Sequence, residues 1–259
     1  MASQLDFAGG TFVDGLVTDS DESLFVTEAA VETPRRLVIA FVGLAFEARI
    51  AEGPGVLVAC RTAGSELDKV ATTAARQGYR GMISFGVAGG LASHLRAGDW
   101  VVASAIRESD TVRATDAVWS RKLLGLIDGA VHAPIVGVDH PVAEPARKRE
   151  LHRTTGAAAV DMESHHVARV AAEHRLAFAA VRVVVDPAHR TVPPAALINM
   201  RPDGRANVLA MMRDVVARPS QIRPLARIAA DAFAARTAMT RVRRRLGPHF
   251  GLHAAGEGA

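Results

Sequence analysis

Ala159-Val-Asp-Met-Glu-Ser-His-His166 and Val181-Arg-Val-Val-Val-Asp-Pro187 each bring a carboxylate out of an apolar run. The first places Glu163 early on a helix predicted over Asp161–Arg175, with Met162, His166, Val170 and Ala171 as inward positions. The second ends an apolar strand, Ala177–Val185, on Asp186. Glu163 and Asp186 lie 23 residues apart, the length of one helix and one buried strand. Both carboxylates can therefore reach the same edge of a sheet, and in open α/β sheets ligands bind at the carboxyl ends of the strands. The plainer alternative is that Asp161 caps a helix and Asp186 is merely solvated.

Outward from this pair, strand-like and helix-like stretches alternate. Leu37–Val42 reads as the first buried strand, Leu44–Glu52 as a short helix, and Gly53-Pro54-Gly55 as a turn. A second strand, Val56–Cys60, precedes a helix over Leu67–Gln77. Arg80–Phe85 reads as a third strand that runs into a glycine-rich loop, Gly86-Val-Ala-Gly-Gly90, and Trp100–Ser104 as a fourth. Residues 105–158 carry a weaker pattern, with a strand at Ala133–Val138 and a helix start at Pro145–His152. This alternation predicts an α/β fold: a single domain with a central mixed, largely parallel sheet flanked by helices. A helical, arginine-rich C-terminal tail follows.

The chain has 259 residues, 49% of them hydrophobic, enough for one large core. A single cysteine, Cys60, excludes an intramolecular disulfide framework. The N-terminus lacks the basic and apolar regions of a signal peptide. No run approaches the ~20 apolar residues of a membrane span. The expectation is a cytoplasmic protein.

The net charge of +4 conceals a segregation. Residues 1–34 hold seven acids and no base, whereas residues 201–259 hold eleven arginines and four acids. The expected organisation is an acidic, flexible leader over 1–34, a catalytic core over 35–200 and a basic helical tail over 201–259. Apolar positions recur along the tail at helical spacing from Ile222 to Leu246. A basic amphipathic helix can lie on an anionic membrane, at the inner membrane face, or pack on its own protein. Trp100, Trp119 and Tyr79 do not interleave with the arginines, which argues against a nucleic-acid partner.

Glycines after a strand let a ligand approach the backbone closely. The Gly86–Gly90 loop lacks the spacing of a dinucleotide site and is uninformative alone. Three blocks occur together, however: Gly43-Leu-Ala-Phe-Glu-Ala-Arg49, Ile83–Leu91 with Ala97-Gly-Asp99, and Asp161-Met-Glu163 with Arg182 and Asp186. In order and spacing the chain resembles the nucleoside phosphorylase and nucleosidase family, which includes purine nucleoside phosphorylase and methylthioadenosine/adenosylhomocysteine nucleosidase. The likeness covers roughly residues 36–200. Within the family the chain is most similar to the hopanoid-associated phosphorylases of bacteria.

That resemblance implies cleavage of an adenine nucleoside, adenosylhopane in the narrower case, with inorganic phosphate as co-substrate. It implies that Asp186 protonates the leaving base, beside Val160 and Gly89, and that Glu163 binds the ribose hydroxyls with Met162 against the sugar. Met162 alone is equally a core methionine. The acceptor site would draw on Gly43, Glu47, Arg49 and Arg182. Arg61, Arg80 and the backbone at Gly64-Ser65 are further candidates, because the arginine and serine of the hexameric phosphorylases are not reproduced at Ser84 and Val87. In the nucleosidases a glutamate near the place of Glu47 activates water, so water stands as the alternative acceptor. An inactive nucleoside-binding module attached to a membrane is the alternative outside enzymes. No Cys/His/Asp spacing fits a structural zinc site, and the chemistry needs no metal or organic cofactor. Family members generally assemble as homo-oligomers.

Overall fold

A computed structural model describes residues 25–28, 38–60, 65–192 and 222–252. Its elements in chain order are β1 (Phe25–Glu28), β2 (Val38–Val42), α1 (Ala45–Ala51), β3 (Val56–Cys60), α2 (Ser65–Arg76), β4 (Gly81–Gly90), β5 (Trp100–Glu108), β6 (Thr111–Ala114), α3 (Ala117–Leu126), β7 (Val131–Gly137), α4 (Pro145–Thr155), β8 (Ala159–Asp161), α5 (Ser164–Glu173), β9 (Ala177–Asp186) and α6 (Ile222–Leu246). A 3-10 turn, Pro248–Gly251, follows α6. Among the described residues, nine strands form one sheet in the order β1-β3-β2-β4-β8-β7-β5-β6, and β9 pairs with both β4 and β5. Strands β4, β9, β5, β7 and β8 therefore close on one another as a ring. The central ladders of β2, β3, β4 and β9 are parallel. The sheet is mixed and largely parallel, as expected.

Successive strand residues point to opposite faces, and here both faces are covered by helices, which explains the nearly unbroken apolar runs. Ile39 and Phe41 join one core, to which α2 contributes Leu67, Val70 and Ala71, and α5 contributes Val167, Val170 and Ala171. Val38, Ala40 and Val42 join the other, with Trp119 and Leu123 of α3 and with Ala235, Met239, Val242 and Leu246 of α6.

Several elements differ from the sequence reading. Gly86–Gly90 is not a loop but the second half of β4, paired with β9 and β8. Those glycines admit close neighbours: a Cβ at Gly86 would lie 2.8 Å from Glu47 Oε1, and one at Gly89 would lie 3.0 Å from Val160 Cγ1. Asp161 belongs to strand β8, and the helix begins at Ser164, because the Asp161 carboxylate accepts the Ser164 N–H at 3.0 Å. Residues 105–126, which carried little pattern, continue β5 and form β6 and α3. Of the acidic leader, residues 25–28 pair antiparallel with the open edge of β3, where unpaired backbone groups favour an added strand.

The tail segment 201–221 lies outside the described residues. Beyond it, α6 packs its Ala235–Leu246 stripe on the sheet, so that part of the apolar face is used by the protein itself. Arg243 is not a surface cation. It is buried, donates to the carbonyls of Ala51 and Gly247 at 2.9 Å each, and lies 4.4 Å over the Phe250 ring. Arg236, Arg241 and Arg244 are exposed, and Arg245 pairs with Asp128 at the surface. No described helix is long and apolar enough to cross a membrane.

If α6 is part of the core, Met239→Ala should lower unfolding stability by roughly 2–5 kcal/mol in urea titrations, as for other buried methionines. Arg243→Gln should cost clearly more than Arg241→Gln, which should stay within about 0.5 kcal/mol of wild type.

Candidate active site

The parallel strands β2, β4 and β9 end at one edge, joined there by β8, and this edge carries the acids. Gly43 leaves β2 and α1 begins two residues later, so Glu47 in its first turn folds back over the strand exit. Its Oε2 accepts the N–H groups of Gly43 and Leu44 at 2.9 and 2.8 Å, and its Oε1 accepts that of Val87 on β4 at 2.8 Å. Glu47 is buried, and burial raises its pKa to about 7, with Arg182 pulling it down and Glu163 pushing it up.

Arg182, on β9, is 1% exposed and sits among acids. Its Nη2 donates to Ser84 Oγ at 2.6 Å, to Glu163 Oε2 at 3.1 Å and to Ser164 Oγ at 3.2 Å. Its Nε lies 2.7 Å from Asp161 Oδ2 as an ion pair, off the direction of a hydrogen bond. Burial works against this cation, but Asp161, Glu163 and Glu47 outweigh it and hold it charged. Glu163 occupies the N-cap position of α5. Burial raises its pKa, Arg182 lowers it and Asp161 raises it. Its side chain keeps 22% of its surface open, so it forms a cavity wall rather than core.

Asp186 ends β9 beside Gly89, where an added Cβ would lie 3.2 Å from its Oδ1. Its partner is Lys148 of α4, which is wholly buried. Lys148 Nζ donates to Asp186 Oδ2 at 2.5 Å and approaches the carbonyls of Asp186, Pro187 and Arg190, each at 3.2 Å. Burial raises the pKa of Asp186, and Lys148 pulls it back down.

A cavity of about 320 Å³ opens onto this edge. Of the residues anticipated from sequence, Gly43, Glu47, Gly89, Val160, Met162, Glu163 and Asp186 all line it. Met162 is 36% exposed, a cavity residue rather than a core methionine. Arg182 stands behind the wall, occupied by the acids. Arg49 is exposed on α1 and is not part of the lining, because it lies two residues beyond Glu47 on another face of the helix. Arg61 and Gly64 lie outside the described residues. Lys148 was not anticipated: in Ala146-Arg-Lys-Arg-Glu150 it reads as one cation among several on a solvated helix.

The histidine pair lies elsewhere. Asp139 Oδ1 is 3.2 Å from His165 Nε2 and 3.6 Å from His166 Nε2, a set that could hold a divalent ion. Asp139 and, through His166 Nδ1 at 3.0 Å, Asp68 already give both rings hydrogen-bond partners, and none of the three lines the cavity.

Residues 42–222 match the family model of the phosphorylase superfamily. The chain belongs to this family. No curated protein matches it in sequence. Similar solved structures include a 5'-methylthioadenosine/S-adenosylhomocysteine nucleosidase from Helicobacter pylori with a butyl-thio-DADMe-Immucillin-A ligand, at 16% identity and a TM-score of 0.57, covering 82% of this chain and 100% of that one. The Colwellia psychrerythraea nucleosidase of the same type, in complex with adenine, gives 17% identity and a TM-score of 0.55 over 68% and 95%. The futalosine hydrolase of H. pylori gives 18% and 0.53 over 59% and 89%. At these identities the likeness concerns the fold.

The buried Glu47 predicts a pH effect on stability. Its folded pKa, about 7, lies above the ordinary 4.5. Protonation therefore favours the folded state, and this contribution is full below about pH 4.5 and lost as pH rises through about 7. Between about pH 5 and 8 the thermal midpoint of Glu47→Gln should fall less steeply than that of wild type in calorimetric scans.

Proposed function

We propose that the protein cleaves the N-glycosidic bond of a purine nucleoside, adenine being the leaving base. The observation that carries this reading is the meeting of Asp186, Glu163, Met162 and Glu47 on one cavity. Breaking the bond builds positive charge on the ribose and negative charge on the base. Asp186 gives a proton to the base, which leaves more easily once protonated. Glu163 accepts the ribose hydroxyls and faces the cationic sugar, and the soft side chain of Met162 packs against it.

Water is the acceptor that the geometry favours. Among the described residues no lysine or arginine lines the cavity, and the guanidinium of Arg182 is engaged by Asp161 and Glu163. A phosphate dianion there would face Glu47 and Glu163. Glu47, with a pKa of about 7, suits a base that takes a proton from water at neutral pH. Phosphorolysis, implied by the likeness to hopanoid-associated phosphorylases, would need cations from outside the described residues.

For the rest of the substrate we infer an apolar group, as in a lipid-linked nucleoside such as adenosylhopane. Leu44, Phe46, Val138, Pro141, Val142 and Val192 line the cavity. Helix α6 adds Ala232 to that wall, while the neighbouring Phe233 is 72% exposed beside Arg236, Arg241 and Arg244. An apolar side chain among cations suits an anionic membrane surface.

The test is adenine release from adenosylhopane and from 5′-methylthioadenosine, in ¹⁸O-labelled water with and without phosphate. Label in the free sugar at a phosphate-independent rate is expected; a phosphorylated sugar product would establish phosphorolysis instead. Asp186→Asn should lower turnover at least ~100-fold. Glu163→Gln should weaken the preference for ribo- over deoxyribonucleosides. Replacing Arg236, Arg241 and Arg244 with Gln should reduce binding to anionic vesicles, most visibly at low salt, with cleavage of a soluble nucleoside nearly unchanged.

A further inference from the structure

Lys148 is wholly buried and spends its ammonium on the end of β9. A buried ammonium is costly unless it is paired and hydrogen-bonded, and this one has one carboxylate oxygen and three carbonyls, at Asp186, Pro187 and Arg190. Those three residues are where the chain leaves the sheet. The guanidinium of Arg190 pairs with Asp231 on α6, so Lys148 is the charged side chain that bears on the Asp186 carboxylate from α4. Gly89 of β4 and Val160 of β8, the other cavity residues at this end, are uncharged.

We propose that Lys148 is a positioning residue for this reaction: it anchors Asp186 Oδ2, leaves the Oδ1 side toward Gly89 for the departing base, and sets the pH range in which Asp186 carries its proton. This rests on the reading of Asp186 as the acid. In apolar surroundings alone the carboxyl would hold its proton so firmly that it would be a poor donor. Beside a fixed cation the proton becomes easier to give, and a general acid works best with a pKa near the operating pH. The hydrogen bonds to the carbonyls at 186, 187 and 190 fix the backbone that aims the carboxyl. No reactant beyond the acceptor is involved: water bonds to the sugar carbon and gives its proton to Glu47 as the C–N bond breaks, the proton of Asp186 moves to the base, and after release Asp186 regains a proton from solvent while Glu47 returns one to it.

The experiment is the pH profile of kcat/KM for purine-nucleoside cleavage in wild type, Lys148→Gln, Lys148→Met and Lys148→Arg, with Asp186→Asn as reference for the limb that Asp186 governs. Activity falls as pH rises through the pKa of an essential acid. Removing the cation lets Asp186 keep its proton longer, so the alkaline limb should move up by about 1–3 pH units in Lys148→Gln and Lys148→Met. Lys148→Gln retains donors for the carbonyls if Lys148→Met folds poorly. Lys148→Arg should keep the limb near its wild-type place while lowering kcat. The titration of the Asp186 carboxyl by ¹³C NMR should move in the same direction without substrate. An Asp186 titration and an alkaline limb that stay in place in both neutral variants overturn the role of Lys148. A wild type that releases base from no purine nucleoside overturns the functional reading instead, and the NMR titration still decides whether Lys148 governs Asp186.

Discussion

The buried guanidinium of Arg182 is the constraint around which the acid-lined edge of the sheet is organised. It ties Asp161 of β8, Glu163 and Ser164 at the start of α5 and Ser84 of β4 to β9, and its charge also acts on Glu47 in α1. A cation in such a place is tolerable only because carboxylates surround it, and these carboxylates are tolerable only because of the cation. The close packing of this cluster also dictates the glycines. A Cβ at Gly43 would lie 2.7 Å from Glu163 Oε1, and one at Gly86 would lie 2.5 Å from Arg182 Nη1.

Of the four carboxylates that line the cavity, three besides Asp161 meet different surroundings. Glu47 is held by backbone N–H groups, Glu163 leans on a shared arginine, and Asp186 has a lysine of its own. Environments that differ in this way allow chemically similar groups to take the different roles proposed above, of base, electrostatic partner and acid. The difference in surroundings follows from which helix or strand supplies the neighbour, not from the identity of the acids.

The sequence displayed the frame of the sheet through its apolar runs, since strands covered on both faces are hydrophobic throughout. It displayed Glu163 and Asp186 through their spacing, and Gly43, Glu47 and Gly89 through the resemblance. It misrepresented Gly86–Gly90, because glycine suggests a turn when the actual need is room for side chains from other elements. It gave no sign of Lys148, whose surroundings come from residues 38 to 42 positions away. The same limit applies to Arg243, which in the sequence reads as one more cation of the basic tail and in the fold is buried against Ala51 and Phe250. Local pattern reports which surface an element buries; it does not report what fills the space beyond that surface.

Helix α6 and its closing turn reach back to the start of the fold. Arg243 meets the carbonyl of Ala51 from 192 positions away, and the Trp119 indole N–H meets the Phe250 carbonyl across 131. On a ribosome adding about 5–20 residues per second, roughly 10–40 s separate the synthesis of α1 from that of its arginine. Through that interval the part of the apolar core to which Ala51 of α1 belongs lacks its α6 neighbours. Nascent chains of this protein thus carry part of an apolar core before the helix that closes it has been made.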